Sequence, residues 1–282
     1  VLMNLMKDYP DCFEEGYCIG SVYGTFPGAV WNGGRAVFGI TGIKDIRAIL
    51  KLYNDRGVPV RFTWTNSLLE EKHIYDTYCN LIMKEADNGM NQVLVNRPVL
   101  EEYIRRQYPG FKLISSTTKR ITGLDGLLEE LNKDYFLVVL DYDLNHNEEV
   151  LSAIGKQADK VEILVNEICY PGCPKRSEHY RQQSQMQLEY DIDTAFPCPN
   201  KTRERKFEEC KERPSFISRE QICEYADRGF VNFKIVGRGM PMDFVKESYL
   251  YYLVKDDSRA FIRNKMESTL NQFAQAMKKR KA

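Results

Sequence analysis

Apolar runs long enough to cross a bilayer are missing from this sequence. The longest, such as Phe136-Leu137-Val138-Val139-Leu140, reach five or six residues, whereas a helical span needs about 20. A net charge is missing as well: 40 Lys and Arg are matched by 40 Asp and Glu, so no global field steers the chain toward nucleic acid or acidic lipid. The basic tail Lys278-Lys279-Arg280-Lys281 reads as a solvated helix end. Histidine is scarce. His73, His146 and His179 are the three in the chain, and they form no His-Glu-x-x-His zinc motif. A Gly-x-Ser-x-Gly elbow and a glycine-rich dinucleotide fingerprint are also lacking. The chain opens at Val1 rather than Met, with no charged-then-apolar leader, as a trimmed sequence would. The expectation is a cytoplasmic protein that does not enter a membrane.

Apolar residues make up 43% of the 282 positions, enough for one α/β barrel of about 250 residues that needs no disulfide staples. From residue 57 onward, strand-like runs alternate with amphipathic helical stretches at the spacing of βα units. The strands are Val58–Trp64, Gln92–Asn96, Lys112–Ser115, Tyr135–Asp141 and Lys160–Asn166; the helices lie near Leu68–Ala86, Val99–Gln107, Leu124–Asn132 and Glu148–Gln157. Each strand ends in polar residues: Thr65-Asn66, Asn96-Arg97, Ser115 to Lys119, Asp141 to Asn145, and Asn166-Glu167. In a barrel these ends converge on one face, where active sites are built. The expected fold is therefore a single α/β domain over residues 1–282, a (β/α)8-like TIM barrel, possibly distorted.

The alternation breaks after residue 166 and resumes at the strand Val231–Val236. An insertion over about 170–228, after the sixth or seventh strand, is expected to hold a helix at Ser177–Glu189, a charged irregular stretch through residue 213, and a helix at Ser218–Asp227. Ser218 would cap the latter and Gly229 would end it. Helices over about 241–280 close the chain. The glycine-rich opening, Tyr17–Gly42, should supply the first strand and a long loop whose Tyr23, Phe26 and Trp31 act as a lid or mouth.

Eight cysteines are too sparse for a secreted disulfide scaffold. Cys79 reads as a core residue, but the others are skewed toward the start and the insertion. Cys169 and Cys173, four positions apart around a Pro-Gly turn, can face a common point, and thiolates are ligands for Zn²⁺ and iron–sulfur clusters. Cys198, held between two prolines, is the third candidate ligand. Cys223 is the working choice for the fourth, with Cys210, Cys12 and Cys18 as alternatives. Arg176 stands where a radical-type cluster motif would need its third cysteine.

The strand Val161–Val165 running into Asn166-Glu167-x-Cys169-x3-Cys173-Pro174, followed by His179-Tyr180, resembles the core of the peptidase U32 family. Phe233-Lys234-Ile235-Val236-Gly237-Arg238 resembles that family's Phe-Lys-Ile-Glu-Gly-Arg, with Val236 in place of the glutamate. Asp141 to Asn145 and Ser115 to Thr118 also fit, so the likeness runs over about residues 57–255. It implies a barrel-like fold. It further implies a [4Fe–4S] cluster on four cysteines in some members, which support oxygen-independent hydroxylation of RNA bases or quinone precursors; other members carry a collagenase or protease label. Only Cys169 and Cys173 transfer cleanly.

The leading expectation is thus an iron–sulfur enzyme acting on a small planar or anionic substrate or an RNA base, with zinc as the alternative metal. A metal-free binding or assembly protein and a U32-type peptidase are the alternatives, and a homo- or hetero-dimer is open. His146, Arg238 and Glu167 are the candidate catalytic groups: a general base at a strand end, an anion-binding fork between two glycines, and a carboxylate in the mouth. Cys169 or Cys173 with His179 is a further nucleophile–base option, and Arg97 a further anion binder. His73 is read as a core histidine, and Asn66, Asn96 and Asn166 as helix caps.

Overall fold

A computed structural model describes residues 1–192, 195–198 and 205–281, with the side chains of 277–281 outside that description. Part of the charged stretch in the insertion and the basic tail's side chains therefore lie outside the described residues.

Seven strands form one parallel sheet in sequence order: β1 (Val22–Gly24), β2 (Val60–Trp64), β3 (Gln92–Val95), β4 (Lys112–Ser115), β5 (Leu137–Val139), β6 (Val161–Leu164) and β7 (Asn232–Lys234). Parallel neighbours need crossovers, supplied by α2 (Ile43–Asn54), α3 (Thr77–Ala86), α4 (Pro98–Gln107), α5 (Leu124–Leu131) and α6 (Glu148–Ile154); α1 (Leu2–Asp8) precedes the sheet. This is a correction to the expected eight-stranded closure. Among the described residues the sheet is a seven-stranded half-barrel, and β1 and β7 are its two ends rather than backbone-paired neighbours. It nevertheless curls, because Arg61 on β2 ion-pairs with Glu162 on β6. Tyr23 on β1 donates its hydroxyl to the Ile235 carbonyl just past β7, 2.9 Å away.

Alternation along the strands divides the core. Phe62, Trp64, Val93, Val95, Val138 and Ile163 pack outward against the helices, while Leu94, Ile114, Leu137, Val139, Leu164 and Val236 form a separate inner cluster. Beside that apolar cluster sits a buried ionic group. Glu162 accepts from both Arg61 and Lys234, the latter at 3.1 Å. Burial alone would raise the Glu162 carboxyl, but Lys234 and Arg61 outweigh it and pull it to about 2. Burial pushes Lys234 the other way for a cation, down to about 8, because its one carboxylate is shared with Arg61.

Local chemistry explains where elements stop. The single helix expected over Leu68–Ala86 is two pieces, a 3-10 turn at Glu71–His73 and then α3. Asp76 starts the second piece by accepting from the Cys79 amide at 2.7 Å, the role an N-cap carboxylate plays. The insertion follows β6 and carries α7 (Arg176–Glu189), α8 (Phe207–Lys211) and α9 (Arg219–Asp227). Ser218 and Gln221 form the expected capping box, and Gly229 ends α9 at φ +94°. The chain closes with α10 (Met242–Leu253) and α11 (Arg259–Lys281). The lid role expected for the opening aromatics is also corrected. Trp31 is 0% exposed and meets Trp64 edge-on at 4.7 Å, and Phe26 packs on Phe62. Both rings belong to the outer core layer, driven there by the area they bury.

Candidate functional site

The strand ends open onto a mouth that α7 crosses. Near its start, Arg176 pairs with Asp143 at 3.0 Å and with Asp141, both just past β5. Its middle meets the end of β2: Asn66 Nδ2 donates to the Ser184 carbonyl, and the Ser67 amide donates to Ser184 Oγ, each at 3.0 Å. Further along, Gln183 and Gln187 accept from the Ala36 and Val37 amides of the opening loop, at 2.9 and 2.7 Å. Helix α7 has no apolar stripe and reaches the main core through Leu188, so these hydrogen bonds do much to hold it in place. It roofs the mouth.

Under that roof lies Arg238. Its Nη1 donates to Asn32 Oδ1 at 2.8 Å and to Thr63 Oγ1, and its Nη2 donates to the Gly33 carbonyl at 3.0 Å. All three acceptors are neutral; among the described residues no carboxylate pairs with this guanidinium. Burial and the nearby Arg35 push it down to about 10, so it remains a cation at pH 7. Glycine makes the packing possible. A Cβ on Gly33 would fall 2.3 Å from the Thr65 carbonyl, and one on Gly34 would lie 3.2 Å from Arg238 Nη2.

Glu167, 7% exposed, folds back so that Oε1 accepts from the Ile168 and Cys169 amides, at 2.9 and 3.0 Å. Tyr142 and Tyr180 lie near Glu167, Cys169 and Arg176, and burial pushes both phenols well above their usual range. They stay protonated. The Tyr142 hydroxyl is buried beside the Cys169 thiol, and Arg176 covers its ring with 3.8 Å from guanidinium carbon to centroid.

Next to this centre is a recess of about 350 Å³ lined by Ser67, Asn96, Arg97, Thr118, Lys119, Arg120, Ser177 and Tyr180. Three linings are basic and none is acidic. Arg120, at φ +60°, pairs with Asp141 and Asp143, and Lys119 pairs with Glu130 at 2.6 Å.

The expected site residues are therefore only partly gathered. Arg238 and Glu167 both stand at the mouth. His146 does not join them. It is an exposed residue whose Nε2 meets the Phe216 carbonyl at 2.9 Å and whose Nδ1 meets the Tyr225 hydroxyl at 3.2 Å. His179 stacks on Phe196 at 4.4 Å and 3°, and burial, with Arg35 and Arg205, lowers its pKa. His73, only half-buried, accepts the Glu70 amide. No Cys–His or Ser–His hydrogen bond occurs among the described residues. Asn66 and Asn166, expected as caps, are 0% exposed and clamp neighbouring loops instead, as does Asn145: Asn166 alone bonds both the carbonyl and the amide of Val236. Asn96 instead donates to Thr118 Oγ1 at 2.9 Å.

The cysteines are all reduced. Cys169 and Cys173 influence each other, and burial pushes the Cys169 thiol up. Cys198 lies two residues beyond Phe196, whereas Cys223 is exposed on α9 beside Tyr17. Cys210 donates to its own helix at the Phe207 carbonyl, 2.7 Å away. Among the described residues no three Cys, His, Asp or Glu side chains come together as a metal site. No three of the four expected thiols are therefore gathered among the described residues. Nor does any helix among the described residues have the length and apolarity to cross a membrane.

Sequence reading missed the roof and the buried ionic group. Helix α7 gives no hydrophobic periodicity to betray its position. Arg61, Glu162 and Lys234 did leave a signal, as charged residues at inward positions of otherwise apolar strands.

No protein-family model matches the chain. The curated "Uncharacterized protease MJ1657" of Methanocaldococcus jannaschii is 26% identical over 242 residues, covering 82% of this chain and 71% of the relative. A solved structure, that of the U32 peptidase Mk0906, aligns at a TM-score of 0.47 and 17% identity over 65% of this chain and 75% of its own. The resemblance of this chain to the peptidase U32 family, read first from its strand-end motifs, stands.

Proposed function

We propose that the chain is a U32-type peptidase whose substrate is anchored by a carboxylate at Arg238. The observation that carries the anchoring is the guanidinium itself: a cation at the mouth of the half-barrel, bonded among the described residues only to Asn32, Thr63 and the Gly33 carbonyl. A planar fork with no carboxylate partner among the described residues is matched by a carboxylate arriving with the ligand. The hydrolase half of the reading is supported by the name of the Methanocaldococcus relative.

The surrounding residues have roles consistent with this. Helix α7 keeps bulk water from the mouth, which strengthens a charge pair formed inside. The Tyr142 hydroxyl, buried beside the Cys169 thiol, can donate to the substrate. Glu167, held by two backbone amides, is placed to accept from it. The reading assigns no covalent nucleophile.

Short peptides with a free carboxyl terminus, compared with their amides, test it by calorimetry and mass-detected hydrolysis. The acids should bind at least about tenfold tighter to the parent, a difference of about 1.4 kcal/mol. Arg238→Gln should erase the preference and the cleavage. Equal binding of acid and amide by the parent would overturn the reading.

A further inference from the structure

We infer that the recess beside Arg238 is a phosphoryl-binding subsite, so that the ligand carries a phosphoryl group as well as the carboxylate of the reading above, on which this second point rests. The charge accounting around the recess leads there. Arg120 and Arg176 share Asp141 and Asp143, so that pair of cations is balanced locally. Lys119 has only a share of Glu130, which Lys133 also holds at 2.9 Å. Arg97, exposed at the rim, makes no salt bridge among the described residues, and the carboxylate it faces, Glu70, is already held by Lys72 at 3.0 Å. The lining therefore carries three cations, whose carboxylates all lie outside it.

Its donors match a phosphoryl group better than a second carboxylate. Ser67, Thr118, Ser177 and Tyr180 bring four hydroxyls to one small volume, and three phosphoryl oxygens can use them, whereas two carboxylate oxygens would leave several idle. Thr118 is already fixed by Asn96 and Ser116, at 2.9 and 3.0 Å. Ser177 lies in the first turn of the 14-residue α7, whose N-cap Lys175 makes no side-chain cap. The positive end of that helix adds to the same field.

The two anion positions are close enough for one small ligand. A Cβ built on Gly34 would touch Arg238 Nη2 at 3.2 Å on one side and Thr118 Cγ2 at 3.6 Å on the other. Recess and guanidinium thus flank a single glycine, and a phosphorylated amino acid or peptide end spans them.

Inorganic phosphate and O-phosphoserine, titrated into the full chain by calorimetry, test the subsite. The variants are Arg97→Gln, which alters an exposed side chain, and Ser177→Asp, which puts a helix-compatible carboxylate at the recess. Phosphate binding to the parent, weakened about tenfold or more by both variants and unchanged in Arg238→Gln, is the expected result. O-phosphoserine should bind tighter than phosphate and lose that advantage in Arg238→Gln. Phosphate that fails to bind the folded parent, or that responds only to Arg238→Gln, would overturn the subsite. The preference for peptide acids over amides is unaffected by either outcome, so the two readings fail separately.

Discussion

Arg238 Nη1 and Asn32 Oδ1 are 2.8 Å apart, joining the segment after the last strand to the loop after the first. The same Asn32 donates through Nδ2 to the Arg35 carbonyl at 2.7 Å and to Gln187 Oε1 on α7 at 3.1 Å. One fully buried amide therefore ties together the anion anchor, the opening loop and the roof. Replacing it with a carboxylate gives Arg238 a permanent counter-ion. Asn32→Asp should lower the affinity for carboxylate ligands about tenfold or more, and should cost about 1–3 kcal/mol because the Arg35 carbonyl and Gln187 lose their donor. Ligand titration beside thermal melting checks both; unchanged affinity in a folded variant would contradict the assignment of Arg238.

The buried ionic group makes two predictions. Glu162→Gln removes the one carboxylate that Arg61 and Lys234 share, leaving two buried cations without an opposite charge. It should destabilise the fold by about 3–5 kcal/mol, read from urea midpoints. The second concerns pH. The Lys234 ammonium is pushed down to about 8 in the folded chain, below its unfolded value near 10.5. Between those values the unfolded chain binds the extra proton, so folding stability from this group rises with pH there and is level below pH 7. Measured against Lys234→Met, the parent should gain about 3 kcal/mol between pH 8 and 10.5. A flat difference across that window would refute the buried position of the amine.

Gly33 and Gly57 offer a contrast in backbone chemistry. A Cβ on Gly33 would penetrate the Thr65–Asn66 peptide at 2.3–2.4 Å, and backbone cannot yield as a flexible side chain can. Gly57 has φ +72° and open space around it, so alanine there meets only the left-handed strain of about 1 kcal/mol. Gly33→Ala should therefore cost several-fold more stability than Gly57→Ala and should loosen Arg238, whose Nη2 uses the Gly33 carbonyl. Comparable melting temperatures for the two variants would count against this packing.

Much of the scaffold was legible because its signals are local. Alternating strands and amphipathic helices repeat within a window of a few turns, and the Ser218–Gln221 capping box announces itself in four residues. What was not legible depends on distance through space. Nothing in the spacing of Cys169, Cys173, Cys198 and Cys223 says that Cys223 ends up exposed beside Tyr17. The break at Asp76 was hidden because apolar residues continue in helical register on both sides of it. Asn66, Asn96 and Asn166 looked like caps, since the residue type suits both jobs; only the folded chain shows them bonding across to neighbouring loops.

Metal analysis provides a fifth check. With no three of these thiols gathered among the described residues, anaerobically purified chain should be colourless and hold well under one iron per molecule. About four irons lost in a Cys169→Ser, Cys173→Ser double variant would show that the sulfurs gather in a way the present geometry does not allow.

The ends of the sheet have a mechanical consequence. Neighbouring strands from β1 to β7 are laced by main-chain ladders, but the final junction is made by side chains, Tyr23 on Ile235, Lys234 over the Tyr23 ring, and Arg238 on Asn32, Thr63 and Gly33. A hoop fastened by such a clasp parts there before anywhere else. Main-chain amides along the free borders of β1 and β7 should exchange with solvent fastest of any in the sheet, and a ligand gripping Arg238 would draw the clasp tight.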